Sequence, residues 1–183
     1  LMHTDPVHKI SIISRGRALG VTWFLPDNDK ALESKAHFLD ELAASLGGRA
    51  AEELIFGKDY ITTGASNDIE KATSLARNMV TRFGMSETVG TVAYGNIHSA
   101  VFLGRDLGEQ KNYSENIAFA IDQEIKNIID QAYQKAIGIL KSNKALLEKI
   151  TAALMEKETL DNAEFDQFFS DTVVPVKKNL PQV

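Results

Sequence analysis

The residues Ile117, Ile121, Ile125, Ile128, Ala132, Ala136 and Ile139 follow one another at steps of three and four. That spacing puts them on one face of a single helix, roughly 30 residues long and opening near Ser114. A stripe of that length has to be covered by something, and this constrains the fold more than any other feature of the chain. It would suit a coiled coil, but two shorter helical patterns follow it. Leu146, Leu147, Ile150, Ala153 and Leu154 mark one, and Phe165, Phe168 and Phe169 the other, with Thr159 or Asp161 as its cap. Partners in the same chain favour an intrachain helical bundle.

The N-terminal third reads differently. Val7 to Ile13 is β-branched and partly alternating, Ser14 to Ala18 supplies a turn, and Leu19 to Leu25 alternates again before Pro26-Asp27-Asn28-Asp29 stops it. Two strands make a small sheet with at least one free edge. Such an edge is either a half-buried hairpin over a helix or a place where an extended peptide adds as another strand. In the second case a proline at Val21 is expected to weaken binding by removing a backbone donor.

From about Glu33 the period becomes helical, through Phe38, Leu39, Leu42, Ala43 and Leu46 and, after Gly47-Gly48, through Ala50, Ala51, Leu54, Ile55 and Phe56. The glycine pair either ends one helix or lets two helices approach closely. Glu52 and Glu53 fall among these apolar residues, so one of them should face inward or sideways. It would pair with Arg49 at helical spacing, or orient a metal-binding histidine.

The stretch Thr62 to Thr73 reads as a loop that delivers a carboxylate to a helix start. Gly64 permits conformations closed to other residues, and Asn67 with Glu70 has the form of a capping box. Asp68 then falls in the first turn, and Ile69, Ala72, Thr73, Ala76, Met79, Val80 and Phe83 form the buried face. An acid in a first turn is also what the helix dipole alone favours. From Gly84 to about Tyr113 glycines interrupt short apolar pieces, which marks a long irregular surface segment, mobile in places.

The whole chain has 183 residues, 44% hydrophobic and 25% charged, with net charge -5 and no cysteine. No basic stripe serves a nucleic acid, so no nucleic-acid partner is expected. Any metal must be held by His, Asp or Glu. A catalytic zinc typically takes two histidines one turn apart, as in H-E-x-x-H, plus a third ligand. His3, His8, His37 and His98 contain no such pair, and the better reading of all four is solvated or structurally bonded. No apolar run approaches the roughly 20 residues that span a bilayer.

A series of blocks in order carries a family resemblance. They are Asp5 to Ile10, Arg15 to Thr22, Leu25-Pro26, Gly47-Gly48-Arg49-Ala50-Ala51-Glu52-Glu53, Thr63-Gly64-Ala65-Ser66-Asn67-Asp68, Ala76 to Val80 and Gly84-Met85-Ser86. Weaker blocks are Phe102-Leu103-Gly104 and Ile121 to Glu124. The chain resembles the protease domain of the FtsH family of membrane-anchored, ATP-dependent zinc metalloproteases. The resemblance implies a mainly α fold, a helical metalloprotease domain with a small N-terminal β-sheet and a C-terminal helical bundle. It implies a peptidase domain over 1–172, divided into a sheet (1–32), helices carrying the metal-site aspartate (33–84), an irregular segment (85–113) and a bundle (114–172), with a flexible tail at 173–183.

By the same resemblance Asp68 is a zinc ligand and Glu52 an acid near the metal site. Gly20, Val21, Thr22, Trp23, Phe24 and Leu25 form the edge strand along which substrate polypeptide lies. The implied parent degrades unfolded or membrane proteins processively. It uses Zn²⁺ in the complete protease domain and ATP and Mg²⁺ in a separate ATPase module. It forms a homo-hexamer and is held at the bacterial inner membrane by an anchor outside this chain, with the domain on the cytoplasmic face, or in the organellar equivalent. No catalytic residue is expected in this chain, since the general-base Glu lies on an H-E-x-x-H helix upstream. Leu1-Met2-His3 is not a convincing natural start, so the chain is expected to begin just downstream of that helix and to be inactive alone. The alternative is a non-catalytic helical scaffold that retains the protease fold for assembly.

Overall fold

The computed structural model describes residues 1–14, 16, 20–25, 32–94 and 113–169. Along them run β1 (Val7–Ser11), β2 (Val21–Phe24), α1 (Lys35–Ser45), α2 (Gly47–Phe56), α3 (Ser66–Thr81), α4 (Glu115–Ser142), α5 (Lys144–Lys157), β3 (Thr159–Asp161) and α6 (Asn162–Gln167). Two 3-10 turns, Lys58–Tyr60 and Thr63–Ala65, lie between α2 and α3. The fold is mainly α with a small antiparallel sheet, as the periodicities imply. The chain divides into two compact units, Leu1–Glu41 with Ile137–Val183, and Leu42–Ala136.

In the first unit the strand order is β2-β1-β3, with both pairings antiparallel. Alternation locates β1 and β2. β3 escapes it because three residues are too few to show a period. Glu158, left-handed at φ 61°, ends α5 and turns the chain into β3, where its carbonyl accepts from Ile12 N at 3.0 Å. Leu160, only 1% exposed, anchors β3 in the core. Asp161 is the cap that its residue type predicts. It accepts from Glu164 N at 2.9 Å while Glu164 Oε2 accepts from Asp161 N at 3.2 Å, a reciprocal capping box that starts α6.

The first residues are held by a buried acid. Asp40 Oδ2 accepts from Met2 N at 3.1 Å and His3 N at 2.9 Å, and lies 3.1 Å from His3 Nδ1. Burying a carboxylate is tolerated only when donors converge on it in this way. His37 Nδ1 meets His3 O at 2.7 Å. These two histidines are therefore structurally bonded, His8 is exposed, and His98 lies outside the described residues.

In the second unit the buried face of α4 consists of Ala118, Ile121, Ile125, Ile128, Ala132 and Ala136. Ala118 takes the place that Ile117 has in the stripe read from the sequence. On α3 the buried residues are Ala72, Ala76, Met79, Val80 and Thr81, and Leu42 and Ala43 of α1, Leu46 between the two helices and Ala50 of α2 are buried as well. Gly47 and Gly48 neither end a helix nor bring two together. They open α2, and a Cβ at either would meet nothing within 4 Å. Each costs a helix about 1 kcal/mol relative to alanine, whereas burying a leucine such as Leu46 contributes ~1.5–3 kcal/mol, so packing decides where α2 begins.

Residues 85–94 carry no helix or strand, but they are tied down. Met85 N donates to Met79 O at 2.9 Å, Tyr94 N to Thr81 O at 2.8 Å, and the Ser86 hydroxyl to Glu124 Oε1 at 3.0 Å. The rest of the expected irregular segment, 95–112, and the expected tail lie outside the described residues.

Candidate functional site

α2 places Arg49 and Glu52 one turn apart, so both side chains reach the loop that follows. Glu52 Oε1 accepts the Thr62 hydroxyl at 2.6 Å, and Oε2 accepts Thr62 N at 3.4 Å. Arg49 Nη1 lies 3.9 Å from Glu52 Oε2 and donates to Thr62 O at 3.3 Å. The Thr62 hydroxyl in turn accepts from Gly64 N at 3.1 Å. Every polar group of Thr62 is thus engaged. The Thr62 hydroxyl first, and then its amide and the Arg49 charge, hold Glu52 below the usual carboxylate range, against the opposing effect of desolvation.

Gly64 is needed here for room rather than for backbone freedom. Its φ is not positive, but a Cβ would stand 3.2 Å from Thr62 Oγ1. The turn Thr63–Ala65 runs straight into α3, with Ser66 N donating to Thr63 O. The first helical amide is thereby satisfied, and the capping box expected from Asn67 and Glu70 does not form. Asp68 falls in the first turn of α3 as expected, half-buried, with Ala65 and Ala72 buried on either side in sequence.

Among the described residues the Asp68 carboxylate has no hydrogen bond or ion pair. A zinc ion needs about three protein donors converging on one point. Among the described residues no group of three His, Asp or Glu side chains does so. The donor set described here does not by itself fit the metal, and Asp68 stands as a single candidate ligand.

The other candidate is the outer edge of β2. No strand among the described residues pairs with it. Trp23, Phe24 and Leu25 are 40%, 47% and 51% exposed, and Lys9 Nζ sits 5.5 Å from the Trp23 ring centroid. Peptide groups alternate in direction along an antiparallel strand. Leu25 N donates inward to Pro6 O at 3.3 Å, so Trp23 and Val21 also face β1, while Thr22 and Phe24 face out. The β3 side of β1 agrees, since Ile12 N donates to Glu158 O and Ser11, its neighbour, therefore faces Val21. A proline at Val21 would break the ladder to β1 instead of the free edge, contrary to the sequence expectation. Gly20 is where Ser11 O approaches closely, since a Cβ there would stand 2.9 Å away.

Two residues of this region leave no motif in the sequence. Thr62 looks like any loop threonine, and Tyr133 is one of many residues of α4, yet its hydroxyl reaches Glu53. The model of peptidase family M41 matches residues 1–168. The chain belongs to that family. Among its relatives, an ATP-dependent zinc metalloprotease FtsH of Rubrobacter xylanophilus is 53% identical over 161 residues, 88% of this chain and 24% of the relative. One from Sphaerobacter thermophilus is 50% identical over 171 residues, 93% of this chain and 26% of the relative. One from Symbiobacterium thermophilum is 48% identical over 181 residues, 99% of this chain and 29% of the relative. This M41 chain spans about a quarter of the length of these relatives. The resemblance read from Gly47 to Glu53 and Thr63 to Asp68 is borne out. Among the described residues, no helix of the M41 chain is long and apolar enough to cross a membrane.

Proposed function

We propose that these residues serve the proteolytic part of an ATP-dependent zinc metalloendopeptidase, in which Asp68 supplies one ligand to the metal and β2 receives the polypeptide to be cut. The observation that carries it is the Asp68 carboxylate, unbonded among the described residues, on the first turn of a well-anchored helix behind a clamped loop. A carboxylate kept only for helix stability needs no such clamp. The names of the relatives, ATP-dependent zinc metalloproteases, support the chemistry. On this reading Glu52 acts through Thr62 on the approach to Asp68.

The whole assembly on the same reading degrades unfolded or membrane proteins processively. Its ATP and Mg²⁺ bind in a separate module, and its copies form a hexamer. An anchor outside these residues holds it at a bacterial inner membrane, or an organellar equivalent, with this domain on the cytoplasmic face. Residues 1–172 act as one peptidase domain, and the general base is not among the residues of this chain. The alternative is a scaffold that keeps the fold for assembly, in which the Asp68 carboxylate serves only the start of its helix.

Asp68→Ala in the full natural polypeptide that carries these residues separates the two. Zinc content should fall, and peptide hydrolysis should drop by more than the roughly 10–100-fold typical of losing a partner one shell out from a metal. The circular dichroism should not change. Full hydrolysis with wild-type zinc content would leave Asp68 as a helix-start acid only.

A further inference from the structure

Tyr133, on α4, donates its hydroxyl to Glu53 Oε2 at 2.5 Å. Glu53 follows Glu52 on α2, and Arg49 lies one turn earlier on the same helix. The Arg49 guanidinium donates to Thr62 O at 3.3 Å. Burial, and then the hydrogen bond to and charge of Glu53, push the phenol up to about 12, with Arg49 opposing. At neutral pH the hydroxyl is therefore a permanent donor to Glu53. The proposed chemistry uses none of these three side chains, yet together they connect α4 to the turn in front of Asp68.

We infer that Tyr133 is a positioning residue: it ties α4 to Glu53 on α2, the helix whose Arg49 holds Thr62, and so steadies the Thr62–Ala65 turn that sets where Asp68 stands. The polar groups involved are all half-buried or exposed, so the effect falls on local order more than on global stability. Its consequence for catalysis rests on the reading of Asp68 given above. The mechanical coupling does not.

The test compares Tyr133→Phe, Glu53→Gln and Asp68→Ala in the full natural polypeptide. Tyr133→Phe keeps the ring and removes only the hydroxyl. It should speed amide hydrogen exchange at Thr62 and Gly64 by about tenfold, the size expected from one lost hydrogen bond. It should lower kcat for peptide hydrolysis severalfold without changing KM, and leave the unfolding midpoint nearly in place. Glu53→Gln, whose amide oxygen still accepts, should show a smaller change in both exchange and kcat. Wild-type exchange at Thr62 and Gly64 in Tyr133→Phe overturns the inference, and so does a fall in kcat that merely follows the folded fraction. Faster exchange with unchanged kcat overturns the catalytic consequence when Asp68→Ala is inactive. Should Asp68→Ala prove fully active, the reading of Asp68 fails instead, and the exchange data alone decide the coupling.

Discussion

Glu52 and Glu53 are neighbours in sequence yet bond in different directions, because successive side chains on a helix leave it about 100° apart. Glu52 holds Thr62, and Glu53 takes the Tyr133 phenol. The sequence shows two acids and an arginine at helical spacing, and the Arg49–Glu52 pair is legible from that alone. Thr62 as the main partner is not, since ten residues and a change of direction separate it from Glu52. Acidification gives a test at this scale. A carboxylate held below its usual range contributes stability that is present above its unfolded pKa and is lost as pH falls through the folded value. The Thr62–Ala65 turn should therefore be steady from neutral pH down through the ordinary carboxylate range and loosen only as pH falls below it. Exchange at Gly64, corrected for intrinsic rates, reports this. Glu52→Gln should flatten the dependence, and a turn equally protected at every pH would remove Glu52 from the clamp.

The elements show the same division between local and distant causes. The α4 stripe and the β1 and β2 alternation follow from periods that any few turns or residues carry. The direction of the β2 peptide groups does not, because it depends on register against β1, and a one-residue slip reverses it. This register makes Thr22→Pro the informative substitution at the free edge. It leaves the β1 ladder intact and removes one outward donor, worth about 0.5–1.5 kcal/mol, so KM for unfolded polypeptides should rise several-fold while thermal stability is nearly kept. Val21→Pro should instead lower stability first. Equal KM for wild type and Thr22→Pro would count against β2 as a peptide-docking strand.

For the molecule as a whole, a polypeptide of residues 1–183 alone should cleave no casein at any zinc concentration. The sequence has no H-E-x-x-H, and among the described residues no three donors converge. Chelator-sensitive cleavage by that polypeptide would overturn the expectation. The sequence by itself determined the mainly α fold, the two longer strands, the first-turn position of Asp68 and the family. Each of these is written in short windows, as a period or a contiguous block, although the capping box read at Asn67 and Glu70 does not form. Only the tertiary structure decided that Thr159 to Asp161 complete the sheet against β1. Only it decided that Glu52 grips Thr62 and that Tyr133 meets Glu53 across 80 residues. A hydrogen bond between distant segments leaves no period in either, so it becomes visible only when packing has brought the two together.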